Sequence, residues 1–160
     1  MKIALTHRSA LEALSMLASR SDVRAFPRTS LPAGFNSSAS MLEVERLQHA
    51  YCLQEPIEAL SRETASRRGR KGLERRRFNP ANMAQGFIEL EPGVFASSPE
   101  LCFIQLCDEL DVVDAVRLLG WMAGTYSLES NGDLARIERE PLLCEESLAN
   151  ALGQFKGVHG

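Results

Sequence analysis

Between Arg62 and Arg77 the chain carries eight basic residues (Arg62, Arg67, Arg68, Arg70, Lys71, Arg75, Arg76 and Arg77) against two acidic ones, Glu63 and Glu74. A segment this basic cannot enter a hydrophobic core, because each buried, unpaired charge costs several kcal/mol. It must stay in water or meet an anion. With 18 basic and 21 acidic residues in all, the other 144 residues hold 10 basic and 19 acidic ones, so the remainder is acidic. Three fates are open to the basic segment: a solvated loop, contact with nucleic-acid phosphate, or docking on acidic surface of this chain or of a partner. Seven of the eight cations are arginines, whose planar fork suits phosphate oxygens better than an ammonium does. No aromatic residue is interleaved with them, so base stacking of the single-strand type is not indicated.

The rest of the composition is globular. At 160 residues, with 44% apolar and 24% charged residues, the chain suffices for one ordinary domain or two small ones and is too apolar to be wholly disordered. Its apolar stretches are interrupted well before the roughly 18 residues of a membrane-spanning helix. No long apolar core with a small-residue cleavage site stands near the N-terminus. Cys52, Cys102, Cys107 and Cys144 have no regular spacing, which points to reduced thiols rather than a disulfide framework. The expectation is a cytoplasmic protein with no membrane partner.

Ile3 to Leu5 reads as a short edge strand. Thr6 or Ser9 can cap a helix, and Ala10, Leu11, Leu14, Leu17 and Ala18 repeat at helical spacing, so 9–19 reads as an amphipathic helix. Pro27, Pro32, Gly34 and the cluster at 37–40 make 22–40 a loop. Residues 41–53 look helical, closed by Pro56. Residues 57–60 and 73–78 are candidate strands flanking the arginines. Glu91-Pro92-Gly93 favours a turn, which makes 86–96 a β-hairpin.

Ser97-Ser98-Pro99-Glu100 then signals a helix start, with Ser97 as cap and Glu100 reaching back to it. Asp111 can cap a following helix with Val112, Val113, Val116, Leu119 and Trp121 or Met122 on its apolar face. Gly120 and Gly124 lie on one side of that helix, and the spacing predicts close packing on a neighbour. Ser130 to Asp133 reads as a turn, and Pro141 as the start of a last helix running to about Phe155. These elements predict an α+β fold: N-terminal helices, a small central antiparallel sheet with the hairpin, then a helix pair and a C-terminal helix. A helical segment 1–56 would precede an α+β module 57–160, the two forming one compact unit.

The run Ser98-Pro99-Glu100-Leu101-Cys102-Phe103-Ile104-Gln105-Leu106, followed by Gly120 and by Ala123-Gly124-Thr125-Tyr126-Ser127, resembles a family of actinobacterial proteins described as AbiEi-antitoxin-like or restriction-endonuclease-like. Thr6-His7-Arg8-Ser9-Ala10-Leu11 is similar to the opening of the same family, and Gly93-Val94-Phe95-Ala96-Ser97 to its hairpin. The resemblance covers the ends and most of 86–128 and does not extend through 21–56. It implies that longer members continue, near Gly157-Val158-His159-Gly160, into a nuclease-like domain that holds magnesium between carboxylates. It also implies that a winged-helix domain often stands ahead of this region. Neither is seen here, so the resemblance implies a front module without cleavage chemistry of its own.

The residues agree with that expectation. A metal-dependent phosphodiesterase needs convergent carboxylates and an orienting lysine. Asp108, Glu109, Asp111 and Asp114 are better read as serving a helix cap and dipole. Cys102 and Cys107, five apart, cannot face one zinc ion from a regular helix. His7, His49 and His159 lie in separate regions with no nucleophile motif, and His7 reads as a residue at a helix start. The expectation is therefore no enzyme, no catalytic residue, no metal and no cofactor. Two functions remain: DNA binding or positioning through Arg67, Arg68, Arg70, Lys71, Arg75, Arg76 and Arg77, or an antitoxin-type interaction module whose apolar helices around 98–126 meet a toxin or form a homodimer.

Overall fold

The computed structural model describes residues 2–33, 35, 37–61, 72–77, 83–124, 126–128, 134–136 and 140–155. Arg62, Arg67, Arg68, Arg70, Lys71, the 130–133 turn and the last five residues lie outside them. The chain is α+β, as its sequence predicts. Strands β1 (Ile3–Leu5), β2 (Ile57–Ser61), β3 (Leu73–Arg77), β4 (Phe87–Glu91) and β5 (Val94–Ser97) form one sheet in the order β3-β2-β1-β5-β4. The sheet is mixed, not antiparallel: β1/β5 and β2/β3 pair parallel, β1/β2 and β4/β5 antiparallel. It draws strands from both sides of residue 56.

The expected edge strand β1 is the central one. Ile3, Ala4 and Leu5 are all fully buried, so this short run is apolar on both faces, the mark of a strand covered on both sides. Ile3, Leu5, Ile57, Ala59, Leu73, Val94 and Ala96 join one core cluster, with Ala10 and Ala13 of helix α1 (His7–Ala18) and Val44, Leu47 and Tyr51 of α2 (Met41–Tyr51). The alternate positions Ala4, Leu60, Phe87 and Phe95 join a second cluster with Phe35, Met83 and Phe155. Phe35 and Phe95 meet there edge to face, ring centres 5.7 Å apart. The hairpin forms as its turn chemistry dictates, with Gly93 at φ +81° between β4 and β5.

Helix α1 starts two residues earlier than expected. Its N-cap is Thr6, whose hydroxyl makes no capping bond, while Ser9 lies inside the helix. Ser40 and Glu43 form a reciprocal capping box on α2, and Cys52 at φ 54° ends it at Tyr51 rather than Leu53. Helix α3 (Pro99–Cys107) is capped by Ser98, whose hydroxyl accepts from the Leu101 N–H. Ser97 belongs to β5, and Glu100 turns instead to Arg28, 3.1 Å away. Strand pairing claims Ser97 first, so the cap shifts by one residue.

Helix α4 (Val112–Ala123) is capped by Asp111, as its sequence predicts, but only Met122 on it is fully buried. Val112, Val113 and Val116 face solvent, and apart from the helix's own backbone no atom of the described residues lies within 4 Å of where a Cβ on Gly120 would stand. Among the described residues the expected close packing at Gly120 is therefore absent. Strands β6 (Tyr126–Leu128) and β7 (Leu134–Arg136) pair antiparallel, a ribbon the sequence reading lacked. The last helix, α5 (Glu145–Gln154), starts beyond Pro141, because Leu142 and Leu143 are buried ahead of it and the Leu142 N–H donates to the Met122 carbonyl.

Candidate functional site

Strand β3 carries the three described arginines of the basic segment at the edge of the sheet. Its parallel register sets Leu73 beside Ile57 and Arg77 beside Ser61. Side chains alternate along a strand, so Leu73, Arg75 and Arg77 share one side and Glu74 and Arg76 the other. Leu73 is buried and anchors that parity in the core. Arg75 and Arg77 are exposed, and among the described residues neither has an ion-pair partner.

Arg76 has a different fate. Its Nη2 and Nε donate to one oxygen of Glu58 at 2.6 and 3.1 Å, its Nη1 lies 2.7 Å from Glu109, and its Nε 3.4 Å from Glu74. The Glu58 residue is only 5% exposed. Its other carboxylate oxygen accepts the Arg8 backbone N–H at 2.9 Å, the capping contact that Thr6 does not make. The Glu58 N–H donates to the Ser9 hydroxyl, and its carbonyl accepts the Thr6 N–H. Burial works against the charge on Arg76, but the hydrogen bond to Glu58 and the charges of Glu58, Glu109 and Glu74 outweigh it, so its pKa lies above the ordinary arginine value. Of the seven predicted nucleic-acid contacts, Arg76 is thus neutralised internally and welded into the fold.

Beside this network stands His7, the first residue of α1, as its sequence predicts, with an unusual φ of +47°. Its Nδ1 lies 2.9 Å from the Thr6 hydroxyl, which donates its only proton to Gln105 Oε1 at 2.8 Å. Nδ1 must therefore be the donor to Thr6, leaving Nε2 the unprotonated nitrogen of the neutral ring. Burial lowers the His7 pKa, Arg76 lowers it further, and Glu58, Glu109 and Asp108 oppose them. The ring is neutral at pH 7. Sequence spacing could not link residues 7, 58, 76, 105 and 109; only the β1/β2/β3 pairing and the end of α3 bring them together.

Among the described residues no group of three His, Cys, Asp or Glu side chains converges on one cation position. Asp111 accepts the Asp114 N–H, and Asp114 pairs with Arg117 at 3.1 Å. All four cysteines are free thiols: Cys102 is buried and donates to the His7 carbonyl, while Cys52 and Cys144 are exposed. No helix among the described residues is long and apolar enough to cross a membrane. No family model, curated protein or solved structure matches the chain.

Proposed function

We propose that this chain is a non-catalytic module that binds nucleic-acid phosphate through the exposed arginines of β3 and the cations that precede it, in line with its resemblance to AbiEi-antitoxin-like proteins. The observation that carries the reading is the sorting of adjacent arginines on one edge strand. Arg76 is consumed by Glu58 and Glu109, while Arg75 and Arg77 stand about 7 Å apart on the other side, charged and without carboxylate partners among the described residues. Arg67, Arg68, Arg70 and Lys71, next to β3 in sequence, extend the cationic stretch. Contacts of this kind position a protein on a backbone and do not read base sequence.

The test is fluorescence anisotropy with a short DNA duplex over a salt series. Two to six neutralised phosphates give a slope of log K against log salt of about −2 to −5, and removing Arg75 and Arg77 together reduces its magnitude by about 2. No binding at 50 mM salt or below, or a slope the double variant leaves unchanged, overturns the reading.

A further inference from the structure

The sheet ends differently on its two sides. At the β4 edge the chain covers itself: the Thr29 N–H donates to the Phe87 carbonyl at 2.8 Å, and the Phe87 N–H to the Thr29 carbonyl at 3.1 Å. At the other edge stands β3, with no further strand beside it among the described residues. Its ladder fixes which backbone groups point outward. The Ile57 N–H donates to the Gly72 carbonyl, while the N–H and carbonyl of Glu58 turn the other way, to Ser9 and Thr6. In the parallel register that follows, Glu74 and Arg76 direct their amides and carbonyls to β2, and Leu73, Arg75 and Arg77 direct theirs away from it. Among the described residues nothing bonds to that outer row.

An unpaired edge is a template for another strand, and the charges it carries decide which strand. We propose that the outer edge of β3 takes an extended acidic segment of a partner protein, which adds as a sixth strand to the five-stranded sheet in the stabler, antiparallel sense. In that pairing the partner residues opposite Leu73, Arg75 and Arg77 exchange both backbone hydrogen bonds with them, at Cα separations of about 5.5 Å. Their side chains fall on the same face as those of Leu73, Arg75 and Arg77, so carboxylates opposite the two arginines and an apolar residue opposite Leu73 complete the row. Arg75 and Arg77 are exposed and have no carboxylate partner among the described residues, so both charges are left for such a segment. Glu74 and Arg76, on the opposite face, already pair with each other, and the partner residues between the acidic ones are therefore uncharged.

A second copy of β3 does not fit this edge. A two-fold antiparallel pairing centred on Glu74, Arg75 or Arg76 sets that residue against itself, and like charges directly opposite are destabilising. Nucleic-acid phosphate accepts from the guanidiniums but has no donor for the outward carbonyls, which an added strand supplies. The proposal shares Arg75 and Arg77 with the nucleic-acid reading without resting on it, and the two ligands exclude each other there.

Fluorescence anisotropy on the full chain tests it with the peptide fluorescein-Gly-Gly-Glu-Thr-Glu-Thr-Val-amide at low salt, where the expected Kd is below about 1 mM. Methylating the amide nitrogen of the second glutamate, which faces β3, weakens binding at least about 10-fold, while methylating that of the second threonine, which faces away, changes it by less than about 2-fold. The peptide with lysine in place of both glutamates binds at least about 10-fold more weakly. Arg75→Glu combined with Arg77→Glu inverts that preference, and its binding of the lysine peptide shows the variant to be folded. At ten times its Kd the acidic peptide slows hydrogen exchange of the Arg75 and Arg77 amides by about 10-fold. A Kd above about 1 mM overturns the proposal. So do equal effects of the two methylations or unchanged exchange at those amides, which mark ion pairing without strand addition, and a double variant that still prefers the acidic peptide. DNA that fails to bind the same samples overturns the nucleic-acid reading and leaves this one standing.

Discussion

Arg75, Arg76 and Arg77 are identical in sequence chemistry, and the structure requires their substitutions to behave differently. Arg76→Ala removes both donors from one oxygen of the nearly buried Glu58 and, among the described residues, leaves that carboxylate with only the Arg8 N–H. Removing one partner of a buried pair costs about 3–5 kcal/mol. Arg76 is itself 29% exposed and the Arg8 contact survives, which favours the lower end, about 3 kcal/mol. For a chain of this length each kcal/mol shifts Tm by about 2–4 °C, so the melt falls by about 6–12 °C. Arg75→Ala and Arg77→Ala touch exposed side chains without ion pairs among the described residues and change stability by no more than about 0.5 kcal/mol.

DNA affinity sorts the other way. The Arg75 and Arg77 variants each reduce the salt slope by about 1, and Arg76→Ala, measured below its melt, leaves it unchanged. Glu58→Gln combined with Arg76→Met recovers most of the lost stability, because replacing both members of a buried pair is often close to neutral. Thermal melts by circular dichroism and anisotropy on the same samples provide both readouts. An Arg76→Ala melt equal to the parent's, or an equal loss for Arg75→Ala, refutes the assignment of Arg76 to the fold and its neighbours to the surface.

Burial holds the His7 pKa below its unfolded value, so the folded state binds its proton less readily, and His7 destabilises the fold as pH falls below about 6.5. His7→Asn, which tolerates the positive φ, flattens the slope of Tm against pH between about 5 and 7; an unaltered slope refutes the link. The Ser147 N–H, followed by its hydroxyl, lowers the Cys144 thiol pKa, whereas burial and then Asp108 raise that of Cys107. Residue-resolved iodoacetamide labelling across pH should show Cys144 reacting at a lower midpoint, and the reverse order contradicts it. Ser40→Ala removes the capping box of α2 and costs about 1 kcal/mol, read as a shift in denaturant midpoint at unchanged m. A midpoint equal to the parent's would show the cap to be energetically idle.

Features whose cause lies within a few consecutive residues were legible in the sequence. Pro92-Gly93 between two apolar runs determines the hairpin, and Asp111 the start of α4. Tertiary pairing decided the rest, because the deciding partner lies far away in the chain. Ile3 to Leu5 became the central strand only by pairing with residues some 55 and 90 positions on. Arg76 was separated from its neighbours by the parity of β3 and by Glu58 and Glu109. The apolar spacing of α4, which promised a buried face, was left largely in solvent because the core closed around Met122 without it. Local propensity specifies an element, but which of its faces meets water depends on what the remainder of the chain brings against it.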